Sequence, residues 1–243
     1  MLALELGASG PALTRLASEL PRPKAIVVMS AHWESPELRV SSAAAPETWH
    51  DFGGFPPALF AVQYPAPGEP ALAARIAQVL QDGGLPAQLD AKRPFDHGTW
   101  VPLSLMYPAA DIPVVQVSLP SHKGPAYQTK IGRALAGLRE EGILLIGSGS
   151  ITHNLRELDW RAGPESIETW AKDFRDWMIE KLTHDDEAAL HDYRRQAPNG
   201  VRSHPGDEHL LALCVARGAG GAPRIEHEGW TMGALGMDIY RFG

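Results

Sequence analysis

Apolar residues along this chain fall into short blocks of two kinds. Ala25–Ser30 (AIVVMS), Val114–Leu119 (VVQVSL) and Ile143–Gly147 (ILLIG) are nearly continuous and rich in β-branched residues, with proline or glycine close before each. Such runs predict buried strands. Glu37–Ser42 reads as a further strand. Helical spacing predicts helices at Gly10–Leu20, Ala71–Gln81, Tyr127–Glu140, Glu165–Leu182 and Asp207–Ala216. In the first of these Pro11 suits the opening turn, and Pro21 and Pro23 stop the helix. The stripe Trp170, Phe174, Trp177 and Met178 predicts a face packed on the core rather than a cofactor site. Gly53 to Pro57 and Pro65 to Gly68 mark loops, and Thr231–Phe242 predicts a closing pair of strands.

Strands alternating with helices predict an α/β fold with a central, mostly parallel or mixed sheet and helices on both faces. No linker-like stretch divides the 243 residues, so 1–243 reads as a single domain. No repeat or long low-complexity tract is visible.

Composition narrows the chemistry. Ten histidines stand against one cysteine, Cys214, which excludes a disulfide framework and a cysteine-rich metal cluster. A metal here would be held by imidazole and carboxylate. The formal net charge is −7, with lysine and arginine dispersed, which argues against nucleic acid as the main partner. No apolar run reaches the roughly 18–20 residues of a membrane helix. The opening MLALELGASG lacks the basic and long apolar regions of a signal peptide, so a cytoplasmic location is the default expectation.

Open α/β sheets bind ligands beyond the carboxyl ends of their strands. His32 follows AIVVMS within two residues, and His153 lies six residues past Gly147, in GSGSITHNL. Either alone reads as a structural histidine, whereas two at equivalent strand ends point to a shared site. His97, in FDHGTW, fits equally a site residue or the first turn of a helix capped by Asp96. His209 follows two acidic residues at a helix start, where a solvated first turn is the plainer reading. His50, in the aromatic and glycine-rich WHDFGGFP, fits a substrate-facing loop as well as a packed surface loop. His204 precedes Pro205 in a polar loop, and His122, His184, His191 and His227 sit in polar stretches. No zincin motif, nucleophile elbow, Walker A sequence or dinucleotide fingerprint occurs.

In combination, AIVVMSAHW, HDFGGFPP, YPAPG, FDHGTW, DIPVVQVSL, GSGSITHNL, EHLL and MGALGM resemble, in order, the DOPA-type extradiol dioxygenases, within the protocatechuate 4,5-dioxygenase-like class. The resemblance spans nearly the whole chain. It implies a metal-dependent enzyme that opens the ring of a catechol with O2, its partners being a small aromatic diol and O2. It implies His32 and His209 as metal ligands, His153 as a further ligand or an acid–base residue, and His97 near the substrate, with His50 as a possible rim residue. The implied cofactor is one divalent ion, Fe(II) for oxygenase activity or Zn(II), which imidazole also accepts. A histidine near neutrality suits removal of a catechol proton, a task expected of His153 with His97 supporting. The family's amino-terminal His-Gly-Ser-Pro segment is not present. The resemblance therefore implies a first strand and a first metal-binding histidine upstream of Met1; the alternative is a protein that has lost that ligand. A zinc hydrolase-type use of the site and a metal-degenerate, non-catalytic protein are the competing readings. The expected assembly is a monomer or small homo-oligomer.

Overall fold

The computed structural model describes Gly7, residues 9–163 and residues 165–243. Most of the opening MLALELGASG stretch lies outside the described residues. In chain order the elements are α1 (Ser9–Glu19), β1 (Ala25–Ser30), β2 (Leu38–Ser41), α2 (Pro57–Phe60), α3 (Pro70–Asp82), β3 (Ala87–Asp90), α4 (His97–Met106), β4 (Val114–Gln116) and α5 (Gly124–Leu135). Then come β5 (Ile143–Ser148), α6 (Thr169–Thr183), α7 (Glu187–His191), α8 (Tyr193–Gln196), α9 (Gly200–Ser203), α10 (Glu208–Gly218), β6 (Pro223–His227), β7 (Trp230–Thr231), β8 (Leu235–Gly236) and β9 (Ile239–Phe242).

The central sheet has the order β4-β1-β5 and is wholly parallel. Every residue of β1 is buried, as its unbroken apolar run requires. Val27 and Met29 pack with α3, α5 and α10 on one face, while Ile26 and Val28 pack with α4 and α1 on the other. The α/β architecture with helices on both faces is thus as expected. A parallel pair, β2–β3, lies alongside, bridged to the central sheet between Val40 and Val117. The antiparallel pairs β6–β9 and β7–β8 form small separate ribbons near the chain end. No helix among the described residues is long and apolar enough to cross a membrane.

Two elements depart from the sequence pattern. The run predicting a strand at Val114–Leu119 keeps ladder geometry only to Gln116, then continues through isolated bridges at Val117 and Leu119. α4 carries no polar stripe, because Trp100, Val101, Leu103 and Met106 are all buried around its circumference, and Pro102 lies inside it. A helix apolar on all sides gives no amphipathic signal.

The outer edge of β5 has no strand partner among the described residues, and Leu144 to Ser148 are only half-buried. A cavity of about 1250 Å³ runs along that edge, walled by α1 on one side and by the chain's last strands on the other. It opens at the carboxyl end of the sheet onto His32, His97, His153 and His209.

Backbone-to-backbone contact sets the position of α10. A Cβ on Gly132 in α5 would overlap the Val215 carbonyl and the Ala219 amide nitrogen. Gly147 and Gly149 similarly leave no Cβ space against the Ala212 and His209 carbonyls. Gly132→Ala is therefore expected to push α5 off α10 at a cost of about 2–3 kcal/mol, the upper part of the overpacking range. Thermal unfolding should show Tm lower by about 5–10 °C at this chain length; an unchanged Tm would refute the close-contact account.

Candidate metal centre

His32 is delivered by the end of β1. Its amide donates to Ser30 Oγ at 3.1 Å, and its carbonyl accepts from Arg93 Nη2 at 3.1 Å. Both of these partners converge on Asp96, which is fully buried. Asp96 accepts from Ser30 Oγ at 2.6 Å and from Arg93 Nη2 at 2.5 Å, and it caps α4 by accepting from the Thr99 amide at 3.2 Å. The Arg93 guanidinium is flanked by the Trp33 and Trp49 rings, at 5.0 and 5.1 Å. One carboxylate thus ties the end of β1 to the start of α4, the helix whose first residue is His97. Gly98 keeps that junction tight, since a Cβ there would overlap Ser30 Oγ. The His32 and His97 rings lie 3.8 Å apart between centroids.

His97 is oriented by a carboxylate distant in sequence. Asp51 Oδ1 lies 2.9 Å from both the His97 amide nitrogen and its Nδ1. A carboxylate oxygen accepts, so Nδ1 carries the proton and Nε2 offers its lone pair. Burial works to raise the Asp51 pKa, but the hydrogen bonds and charge of His97 outweigh it and hold the carboxyl below its ordinary value. In the FDHGTW segment Asp96 caps the helix, and His97 faces the cavity from its first turn.

His209 opens α10 and is buried, where a solvated first turn was the plainer expectation. Its Nδ1 lies 3.0 Å from Glu208 Oε1. That hydrogen bond leads the causes holding Glu208 down at about 2. His153 stacks on His209, with centroids 3.4 Å apart and planes within 9°. The His32 and His209 rings stand edge-on, 5.0 Å apart at 82°. Burial, reinforced by the neighbouring imidazoles, lowers both His32 and His153 to about 3. Both rings are therefore neutral at physiological pH, with an unprotonated nitrogen available.

His50 is not on the cavity wall. Its Nε2 lies 2.9 Å from the Val62 carbonyl, and its ring packs among Phe52, Phe60 and Trp100. Phe52 stands between it and the site, edge-on to His97 at 5.4 Å. Where a substrate-facing His50 was the expectation, Phe52 of the same loop, with Phe60 of α2 and Trp100 of α4, surrounds the ring away from the cavity. Phe52, Phe55, Val101, Leu155, Leu158 and Trp160 give the histidine end of the cavity apolar walls.

Sequence reasoning missed Asp51 as a partner of His97 and the Asp96–Arg93 tie. Adjacency of Asp51 to His50 in HDFGG was visible, but its partner 46 positions on was not. It also passed over His204, which is fully buried despite its polar flanks.

These residues fit a metal ion. Ligand atoms of His153, Glu208 and His209 lie within 4.8 Å of one another, as do those of His32, Asp51 and His97. A histidine that donates Nδ1–H to a carboxylate and frees Nε2 is the usual supported form of an imidazole ligand, and His209 has it. Imidazole-rich sets suit iron and zinc.

Comparison with known proteins shows the family. The 4,5-DOPA dioxygenase extradiol of Escherichia coli strain K12 is 44% identical over 235 residues, covering 94% of this chain and 86% of that protein. The Beta vulgaris protein of the same name is 41% identical over 225 residues, covering 91% and 83%. A crystal structure of an uncharacterised Escherichia coli K12 protein superposes with a TM-score of 0.83 at 38% identity, covering 96% of this chain and 92% of that one. Residues 11–243 match the family described as the catalytic LigB subunit of aromatic ring-opening dioxygenase, and the chain belongs to that family.

Proposed function

We propose that this chain opens the ring of a catechol by extradiol cleavage, with His32 and His209 as ligands of one divalent ion and His97 as the base. The observation that carries the ligand assignment is the angle between rings. An imidazole binds a metal in its own plane. The rings of His32 and His209 stand at 82° with centroids 5.0 Å apart, and both line the cavity, so their planes cross rather than run parallel. Those of His153 and His209, nearly parallel and 3.4 Å apart, show no such crossing. His153 therefore serves better beside the substrate than as a third ligand.

Extradiol cleavage breaks the ring bond next to the two hydroxyl-bearing carbons, and both oxygen atoms of O2 enter the product. A bound Fe(II) would supply the place where catecholate and O2 meet, whereas zinc fits the same donors but has no redox chemistry. The protein's own part is proton handling and exclusion of water. Binding needs loss of a catechol proton. His97 is the better acceptor, because Asp51 on its Nδ1 stabilises the imidazolium that results. Protonation of His153 is opposed by burial and by His209 beside it. His153 is left to hydrogen-bond the substrate oxygens in neutral form. The apolar walls from Phe52 to Trp160 accept a flat ring. Small aromatic diols, DOPA-like ones included, are thus the proposed substrate class.

The free edge of β5 supports the expectation of one more strand. A parallel strand laid in the trough along Leu144–Ser148 would satisfy that edge and end, as β1 and β5 do, at the histidine cluster.

Two outcomes are expected. After anaerobic Fe(II) loading, a catechol panel should give O2 uptake and a ring-opened, visibly absorbing product in equal amounts. No uptake from protein with its metal confirmed by elemental analysis would sink the oxygenase reading; activity surviving without O2 would favour the hydrolase one. Asp51→Asn should lower kcat about 100-fold, the lower part of the general-base range, with metal content and KM little changed. Equal loss in kcat and metal content would instead make Asp51 a scaffold residue.

A further inference from the structure

The loop bearing His153 and the loop leading to His209 are joined through one buried side chain. His204 is fully buried, with the Phe174 and Tyr193 rings packed edge-on to it. Its Nε2 lies 2.9 Å from the Ile151 carbonyl, two residues before His153. A carbonyl only accepts, so Nε2 carries the proton. Nδ1 is then an unprotonated, buried nitrogen with no partner among the described residues.

His204 is itself anchored on the other side. Its carbonyl accepts from Arg194 Nη1 at 2.9 Å. Arg194 also pairs with Asp207, and Tyr193 OH donates to Asp207 Oδ1 at 2.8 Å. The segment from His204 to the start of α10 is thus held against α8, five residues ahead of His209. Next to this link, the His153 amide donates to the Ser203 carbonyl at 2.9 Å, and the Ser150 amide to the His209 carbonyl at 3.1 Å.

We infer that His204 is a positioning residue, a neutral strut whose Nε2–H···O=C bond to Ile151 sets the stack of His153 on His209. No hydroxyl would reach from the same backbone position, and a charged side chain would be buried without a counter-ion. Solvent does not reach the ring, so it does not touch substrate. The inference rests on reading His153 and His209 as site residues, but its geometric core does not depend on the metal.

The test compares two amides that differ in reach. His204→Gln can place an N–H near the Nε2 position, whereas His204→Asn places it near Nδ1 and leaves the Ile151 carbonyl unpaired. Long-range 1H–15N correlation spectra of the metal-free full chain should show His204 in its Nε2–H form. The His153 and His209 ring signals should stay in place in the Gln variant and move in the Asn variant. Titration with Co(II) alone should then show affinity about tenfold weaker for Asn, as for loss of a supporting hydrogen bond at a metal site, with Gln restoring it to within about threefold. Ring signals unmoved in the Asn variant, or displaced equally in both, would overturn the strut. Absence of Co(II) binding in the unaltered chain would sink the metal reading, while the ring signals would still decide on His204. Should the Asn variant fail to fold, native-like ring signals in His204→Leu would equally refute the inference, and displaced ones would support it.

Discussion

Everything at the histidine end of this molecule depends on how closely α10 lies against β5 and α5. At Gly132, Gly147 and Gly149 the contact is backbone against backbone, with no space for a Cβ. That contact fixes the start of α10 beside the loop that leaves β5. It is the reason a histidine at residue 209 can stack on one at residue 153. The parallel register of β1 with β5 does the rest. Ser30 pairs with Ser148, so both strands end at the same level and His32 reaches the same point.

Electrostatics then divides four similar side chains into different tasks. Four imidazoles gathered in a half-buried pocket cannot all be protonated, and burial settles His32 and His153 as neutral. The carboxylates are placed selectively. Asp51 and Glu208 each accept a hydrogen bond from one Nδ1–H, which leaves His97 and His209 with a free Nε2. Asp96 holds no histidine ring; it holds backbone, through Ser30, Arg93 and the α4 cap. Removing Asp96 would therefore loosen two histidines at once, while replacing Asp51 by Asn keeps an acceptor oxygen for His97 and takes away only the negative charge beside it.

What the sequence discloses follows from what is local. β1 and β5 are legible because continuous apolar runs between breakers have few other homes. His32 and His153 follow from them, since ligands gather beyond strand ends. Of α4 only the start is legible, as a helix turn capped by Asp96: buried on all sides and carrying Pro102, its body lacks the polar stripe that marks helical periodicity. Asp51 and His50 are neighbours with opposite fates, and nothing local separates them. The difference is made by Phe52, which fills the space before His50, and by His97, which reaches Asp51 from another element. His204 is the sharpest case, because a polar loop flanking a proline conceals a fully buried ring.

Ring geometry also changes the ranking among the histidines. Sequence position and family resemblance make His153 the leading acid–base residue and leave open a ligand role for it. Its parallel stack with His209 argues against shared coordination, and its burial argues against protonation. His97 has the opposite surroundings, with a carboxylate on Nδ1 and the cavity on its other side. The trough beside β5 ends at the same point as the proposed ligands His32 and His209, so a further donor would have to approach from that direction.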